Sequence, residues 1–244
     1  MTELDPFTIK EVELLDYQKR VFWKIYNVIT WLFNGEYSYL PFKGFLLYGV
    51  PGTGKSEIVK QVSKKVAEAY PNVKILFVDG ADIASPKWGE AEKKLQSVFE
   101  MSDYEKRIII FDDIESLMMS RGADIAKEWH YSINSVLFHA LDFLDPSKCV
   151  VLSTTNRIDL VDEALKSRFY LIEIPEVPKE ELYKLLDRTL TRIEIPEDVK
   201  REIASKIREK IDSMKVKDLR GVMYLSLIHI SEPTRPRLIS YAVF

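Results

Sequence analysis

The chain has 244 residues, of which 46% are hydrophobic, so it is long enough for one large domain with its own core and a smaller appendage. Its 35 basic and 38 acidic side chains give a net charge of −3, which excludes a global electrostatic attraction to nucleic acid or acidic membranes but not a local basic patch. The single Cys149 excludes an internal disulfide, and the scattered histidines form no recognisable zinc site, so we expect a cytoplasmic protein.

The first predicted element is an amphipathic helix near the N-terminus. The segment VFWKIYNVITWLF is too short to span a bilayer and is interrupted by Lys24 and Asn27. No cleavable signal precedes it, so we expect no membrane span. Its apolar residues recur at helical spacing, at Val21, Ile25, Val28, Ile29, Leu32 and Phe33. We therefore predict that residues 1–39 form a helical segment that packs on the core.

Residues 40–175 alternate short β-rich apolar runs with helical patterns, which is typical of a parallel sheet flanked by helices. We predict an α/β core with a parallel five-stranded sheet, whose strands are GFLLYG, VKILFVDG, RIIIFDD, VVLSTTN and FYLIEI. After Pro175 the β signal ends, and residues 176–224 carry two helical patterns, at Leu182, Leu185, Leu186 and Leu190 and at Val199, Ile203, Ile207 and Ile211. These patterns predict a small, partial (truncated) α-helical lid.

The segment 225–244, LSLIHISEPTRPRLISYAVF, departs from both patterns. Codons exist for Leu225–Arg235 and Ile239–Phe244 that resemble the two ends of a transposase-type sequencing adapter. We therefore interpret residues 225–244 as a translated adapter artefact and exclude them from fold reasoning. The alternative is a genuine terminal helix and strand.

The stretch GVPGTGKSE lies between an apolar strand and a helical pattern and has the G-x-x-x-x-G-K-[ST] spacing of a phosphate-binding P-loop. Its glycines allow successive N–H groups to point at one place, and the helix N-terminus adds positive charge, so the main chain can hold a polyphosphate. We expect Lys55 to reach the β- and γ-phosphates and Ser56 to ligate Mg²⁺. The pattern predicts a P-loop NTPase that binds ATP through Gly49, Pro51, Gly52, Thr53, Gly54, Lys55, Ser56 and Glu57. The alternative is an accidental match in a glycine-rich turn.

Two adjacent aspartates end the apolar run RIIIF. The carboxyl ends of parallel strands face the ligand crevice, so we assign Asp112 to Mg²⁺. We assign Asp113 to the water that attacks the γ-phosphate, as the group that orients it or accepts its proton. The alternative is a solvated strand end. Glu115 is assigned to solvent or to a neighbouring subunit rather than to the reaction.

Through these motifs, residues 40–175 resemble the ATPase core of the AAA+ family, especially the protein-remodelling branch that includes ESCRT-disassembling and microtubule-severing enzymes. In that branch the second acid is usually glutamate, and Asp113 is one methylene shorter. Replication initiators and helicase loaders of the same superfamily carry two aspartates at this place. The resemblance implies an Mg-dependent ATPase that works as a homo-oligomer, a hexameric ring.

The stretch VVLSTTNRIDLVDEALKSRF resembles the second region of homology of this family. The resemblance implies that Asn156 positions the attacking water beside Asp113, and that Arg168 is an arginine finger for the nucleotide of the adjacent subunit. The alternatives are an asparagine that caps a turn and an arginine paired with a surface acid. The stretch VKDLRGV resembles a sensor segment, which implies that Arg220 contacts the γ-phosphate from the lid. A surface helix arginine is the alternative.

The stretch SPKWGEAEKKL resembles the pore loop of remodelling relatives, with Lys87, Trp88 and Gly89 at nearly the same place. An exposed tryptophan can grip an extended chain without reading its sequence, whereas the alternative is a tryptophan that anchors its own loop. The leading hypothesis is thus a ring-forming, ATP-hydrolysing remodeller or unfoldase with a polypeptide substrate or adaptor. The alternatives are an initiator or loader associated with nucleic acid, and a slow nucleotide switch.

Overall fold

A six-stranded sheet forms the centre of the α/β unit, in the order β1-β3-β4-β5-β2-β6. All its neighbouring strands are parallel except the pair β1 and β3. The strands are β1 (Thr2–Leu4), β2 (Gly44–Tyr48), β3 (Val73–Asp79), β4 (Lys106–Asp112), β5 (Cys149–Thr155) and β6 (Phe169–Glu173). The computed structural model describes residues 2–36, 41–79, 83, 90–102, 105–118, 125–192, 194–213 and 219.

The five predicted strands are confirmed, each to within one residue at its ends. The sequence predicts these strands well because parallel strands are buried on both faces and so form continuous apolar runs. All seven residues of β5 are buried. The predicted number of strands was wrong, because Thr2–Leu4 adds a sixth strand, antiparallel to β3 at the edge of the sheet. Its three residues, TEL, are too few and too polar to give a strand pattern.

Helices connect the strands and cover the sheet. The first, α1 (Asp16–Phe33), buries Ile25, Ile29, Leu32 and Phe33, as its spacing predicts. The others in this unit are α2 (Lys55–Ala69), α3 (Glu90–Phe99), α4 (Glu115–Met118), α5 (Ile125–Asp142) and α6 (Glu163–Lys166), with 3-10 turns at Pro6–Thr8 and Ile158–Leu160. Within the described ranges, no helix combines the length and the apolar character that a membrane crossing needs.

The apolar core of this unit lies between the sheet and its helices. Side chains of β4 such as Ile109 and Phe111 are fully buried there against Leu95 of α3 and Leu137 of α5. Burial of this kind contributes about 25 cal/mol per Å² of apolar surface and fixes which strand residues face the helices. The polar strand ends described below therefore follow directly from a buried, packed core.

The chain divides into two compact units by its internal contacts, one of Met1–Gly49 with Gly54–Ile174 and one of Val50–Thr53 with Pro175–Phe244. The second unit contains α7 (Lys179–Thr191) and α8 (Glu197–Ser213). Of the predicted apolar stripes, these helices bury Leu182, Leu186, Leu190, Ile203, Ile207 and Ile211, whereas Leu185 and Val199 are half-buried. The domain bounds at residues 39 and 175 stay predictions, and the adapter interpretation of residues 225–244 lies outside the described residues.

Candidate active site

The P-loop joins β2 to α2 through backbone angles that favour glycine. Gly49, Gly52 and Gly54 have φ values of 140°, 79° and 89°. A Cβ atom on Gly49 would lie 2.3 Å from the carbonyl oxygen of Ile174, so a larger residue does not fit there. Helix α2 begins directly after Gly54, which directs its N-terminal N–H groups toward the loop.

Some side chains of the P-loop bond to the backbone of the loop itself. Lys55 is 5% exposed, and its ammonium donates a hydrogen bond to the carbonyl oxygen of Gly49 over 2.9 Å. Thr53 is fully buried, and its hydroxyl donates to the carbonyl oxygen of Val50. Glu57 accepts a hydrogen bond from Gln61 one turn along α2, while Pro51 is exposed. The structure thus shows the position of each predicted loop residue. The contacts of these residues with a nucleotide stay predictions.

Ser56 and Asp112 meet where α2 begins and β4 ends. The Ser56 hydroxyl donates to Asp112 Oδ1 over 2.7 Å. Hydroxyl and carboxylate oxygens are the hard ligands that Mg²⁺ takes, usually together with phosphate oxygens and water. This pair of side chains therefore fits a magnesium site beside the phosphate loop.

Asp113 follows in a left-handed backbone conformation, with φ 50°. Its N–H donates to the hydroxyl of Thr154 over 3.0 Å, and the same hydroxyl donates to Asp112 Oδ1 over 2.6 Å. The side-chain amide of Asn156 donates to Asp113 Oδ1 over 2.8 Å. The structure thus brings together the predicted Asp112, Asp113 and Asn156, and it adds Thr154, which sequence reasoning missed.

The assignment of Glu115 to solvent was wrong, whereas a contact with a neighbouring subunit stays a prediction. It is only 7% exposed, and its Oε1 accepts a hydrogen bond from the backbone N–H of Asn156 over 3.0 Å. Its Oε2 is buried and has no hydrogen-bond partner among the described residues. The sequence gives no sign of this, because an acid beside a strand end is solvated in most proteins.

Arg168 lies at the N-terminal end of β6 and is held by its own chain. Its guanidinium makes two hydrogen bonds of 2.8 Å to the carboxylate of Asp142 and one of 2.6 Å to the carbonyl oxygen of Ala164. It also lies 4.9 Å from the ring centre of Phe138. The hydrogen bond from Arg168 holds the pKa of the Asp142 carboxyl below its usual range. Within one chain, Arg168 thus forms the ion pair with a surface acid that was the alternative prediction. Its role as an arginine finger for the nucleotide of a second chain stays a prediction.

The remaining predicted site residues lie outside the described residues. They are the pore residues Lys87, Trp88 and Gly89 and the sensor residue Arg220. Leu219, which precedes Arg220, is described, and its N–H donates to the carbonyl oxygen of Gly52 within the second unit.

Residues 45–176 match the family model described as ATPase family associated with various cellular activities (AAA). The chain is 32% identical over 139 residues to "AAA ATPase forming ring-shaped complexes" of Corynebacterium efficiens, which covers 53% of this chain and 26% of that protein. It is 32% identical over 192 residues to the A-like 1 form of the katanin p60 ATPase-containing subunit of Oryctolagus cuniculus, which covers 75% of this chain and 38% of that protein. The matches span between 10% and 38% of the length of these and other curated relatives.

A solved structure shares the fold. The FIGL-1 AAA domain, crystallised in complex with ADP, superposes with a TM-score of 0.58 over 94% of this chain and 86% of that chain. At 19% sequence identity this likeness concerns the fold alone. The shared fold is the six-stranded, mostly parallel sheet with its flanking helices.

Proposed function

The chain belongs to the AAA family of ATPases, and we propose that it hydrolyses ATP to ADP and phosphate in a ring of identical chains in order to remodel polypeptides. The observation that carries the proposal is the meeting of Ser56 and Asn156 with the two aspartates beside the P-loop. Phosphoryl transfer to water requires oxygen ligands for a metal ion and a carboxylate that can orient the water. Ser56 and Asp112 supply the first, and the hydrogen-bonded Asp113 supplies the second.

Each group has a distinct task in this proposal. The loop amides and Lys55 bind the phosphates, and Ser56 and Asp112 hold Mg²⁺, which when bound neutralises charge on the phosphate oxygens. Asp113 orients the attacking water and accepts its proton, and Asn156 keeps that carboxylate in place through its 2.8 Å hydrogen bond. Asp113 is shorter than the usual glutamate, so its direction depends strongly on the groups that hold it.

Ring assembly enters the proposal through Arg168. A guanidinium that reaches the nucleotide of the next chain stabilises the charge of the transition state and raises the rate by about 10³- to 10⁵-fold. The Corynebacterium relative is described as forming ring-shaped complexes, which supports a homo-oligomer, and we propose a hexamer. The katanin-like relative is named as an ATPase-containing subunit, which supports ATP hydrolysis. The remodelling role rests on the resemblance of residues 40–175 to the protein-remodelling branch. The cytoplasmic location stays a prediction from composition.

The first test measures ATP binding and phosphate release in the purified chain and in three variants. We expect Lys55→Ala to weaken binding or turnover by roughly 100-fold or more, because a charged phosphate ligand is lost. We expect Asp113→Asn to keep ATP bound while turnover falls by about 10²- to 10⁴-fold. Lys65→Ala is the control, since Lys65 lies on the same helix but pairs with the exposed Glu68. Equal turnover in Asp113→Asn and the parent would remove Asp113 from its proposed role.

A second candidate, a nucleic-acid loader or initiator, is favoured by the Asp112–Asp113 pair and by Lys87 in the sequence. Stimulation of the ATPase by an unfolded protein, lost in Trp88→Ala, is expected for the remodeller. Stimulation by single-stranded DNA that survives Trp88→Ala would favour the loader instead. A very low basal rate without stimulation by either would favour a slow nucleotide switch.

A further inference from the structure

Thr154 is the next-to-last residue of β5 and is fully buried beside Asp112, the last residue of β4, and the backbone of Asp113, which follows it. A hydroxyl has one proton to donate and two lone pairs to accept hydrogen bonds. The proton of Thr154 goes to Asp112 Oδ1 over 2.6 Å. A lone pair of the same oxygen takes the backbone N–H of Asp113 over 3.0 Å. One oxygen atom is thus bonded to both acidic residues.

The backbone of Thr154 adds a further contact to the same turn. Its carbonyl oxygen accepts the N–H of Ile114 over 2.9 Å. Residue 154 therefore satisfies two consecutive N–H groups immediately after β4, one through its side chain and one through its main chain. Since β-branched threonine has a restricted χ1, the hydroxyl is held in this direction by its own strand.

The turn needs such support because Asp113 has a φ of 50°. The left-handed region is unfavourable for residues other than glycine, although aspartate tolerates it better than most. The direction of the Asp113 carboxylate follows from this backbone, and Asn156 contacts the carboxylate only at its far end. Without the Thr154 hydroxyl, the N–H of Asp113 loses its described acceptor and the turn is free to relax.

We infer that Thr154 is a positioning residue that sets the Mg²⁺-binding Asp112 and the water-orienting Asp113 relative to one another. The inference rests on the proposed function for its catalytic consequence, but not for its structural one. It also explains how the shorter acid can work: a short side chain has little reach of its own, so its backbone must be placed by a neighbour.

The experiment compares Thr154→Val, which keeps the shape and removes the hydroxyl, with Thr154→Ser, which keeps the hydroxyl. We expect Thr154→Val to lower kcat by about 10- to 100-fold, as for a lost hydrogen bond to a charged group, with the KM for ATP changed by less than about 3-fold. We also expect amide hydrogen exchange at Asp113, measured by NMR without nucleotide, to accelerate by about 10-fold or more. Thr154→Ser is expected to restore both quantities.

Ser153→Ala is the matched control. Ser153 is the preceding residue of β5, is also fully buried and faces the opposite side of the sheet, and its hydroxyl has no hydrogen-bond partner among the described residues. We expect parental kcat and parental exchange at Asp113 in this variant.

Parental kcat in Thr154→Val would overturn the inference, whether or not exchange changes. A loss of kcat that Thr154→Ser does not restore, or that comes with parental exchange at Asp113, would overturn it too. Failure of the proposed function looks different, because the parent chain itself would then release no phosphate. The exchange measurement would in that case still decide whether Thr154 holds the turn.

Discussion

The acidic and the basic parts of the candidate site are held in different ways. Asp112 and Asp113 are bound by neutral hydroxyl and amide groups, chiefly by the fully buried Thr154 of β5. Arg168 is instead bound by a charged partner, Asp142, and their side chains are 23% and 50% exposed. The acidic part is therefore held by uncharged groups, chiefly a buried hydroxyl, whereas the guanidinium of the basic part is neutralised by a half-exposed carboxylate, which a phosphate could replace.

This difference has an energetic side. Exposed ion pairs contribute about 0–1 kcal/mol, because water and salt screen the attraction and two long side chains must be ordered. Groups bound to a buried threonine are harder to displace, since each lost hydrogen bond leaves a buried polar atom unsatisfied. We therefore expect the acidic part to be preorganised and the guanidinium of Arg168 to be able to change partners.

The largest expected effect tests whether the two parts work in different chains. Arg168→Ala should lower kcat by about 10³- to 10⁵-fold, and Asp113→Asn alone should also be nearly inactive. In an equimolar mixture that forms mixed rings, roughly a quarter of the interfaces combine an intact Asp113 with an intact Arg168 of the next chain. Phosphate release should therefore rise on mixing to roughly that fraction of parental activity.

Arg208→Ala is the matched control for the arginine. Arg208 bonds the carboxylate of Asp187 and lies 5.5 Å from the ring centre of Tyr183, so its surroundings repeat those of Arg168 elsewhere in the chain. The Arg208→Ala variant should have the same turnover as the parent. If mixing the two inactive variants restores no activity although mixed rings form, Arg168 does not act in trans and the two parts do not work in different chains.

The sequence predicted the strands and the loop that carry the site better than the hydrogen bonds between its side chains. The strands of the core and the P-loop are local patterns, so continuous apolar runs and glycine spacing predict them. Thr154 has no such local pattern, because its partners lie 41 and 42 positions away, at the end of another strand and directly after it. The burial of Glu115 likewise depends on the turn that follows Asp112. Pairings between strands, and not local composition, decide which polar side chains meet.

A medium effect is expected from Glu115, which extends the acidic part. Its Oε1 accepts a hydrogen bond from the backbone N–H of Asn156. The side-chain amide of Asn156 in turn donates to Asp113. Glu115→Ala should lower the free energy of unfolding by about 1–3 kcal/mol and kcat by roughly 10-fold, because a partly buried N–H loses its acceptor. Glu115→Gln keeps an acceptor oxygen and should stay close to the parent in both quantities. Denaturant unfolding and steady-state ATPase assays provide the two measurements.

A distant, partly buried acid separates stability from activity in this test. Glu105 is 11% exposed at its side chain and is bound by Arg107 at the opposite, N-terminal end of β4. Glu105→Ala should therefore destabilise the fold without a selective loss of kcat. If Glu115→Ala and Glu105→Ala reduce kcat equally, Glu115 supports the fold only and has no part in holding Asn156 for the reaction.

The smallest effect concerns the ion pair of Arg168 and its dependence on pH. The hydrogen bond from Arg168, with smaller contributions from Lys43 and His139, lowers the pKa of Asp142 in the folded chain. A lowered folded pKa means that the pair contributes stability above the unfolded pKa of about 3.9, and that this contribution is lost as pH falls through the folded pKa. Unfolding of the parent and of Asp142→Asn by denaturant, measured across this pH range, gives the contribution by difference.

We expect this difference to stay below about 1 kcal/mol at neutral pH, because half of the Asp142 side chain is exposed and solvent screens the pair. It should shrink further in high salt. A small value is required if the basic part serves another chain, since Arg168 can leave Asp142 for a phosphate there only if the exchange costs little. A difference of several kcal/mol at neutral pH would instead make the pair a fixed structural element, and Arg168 would then be bound too tightly within its own chain to serve a neighbour.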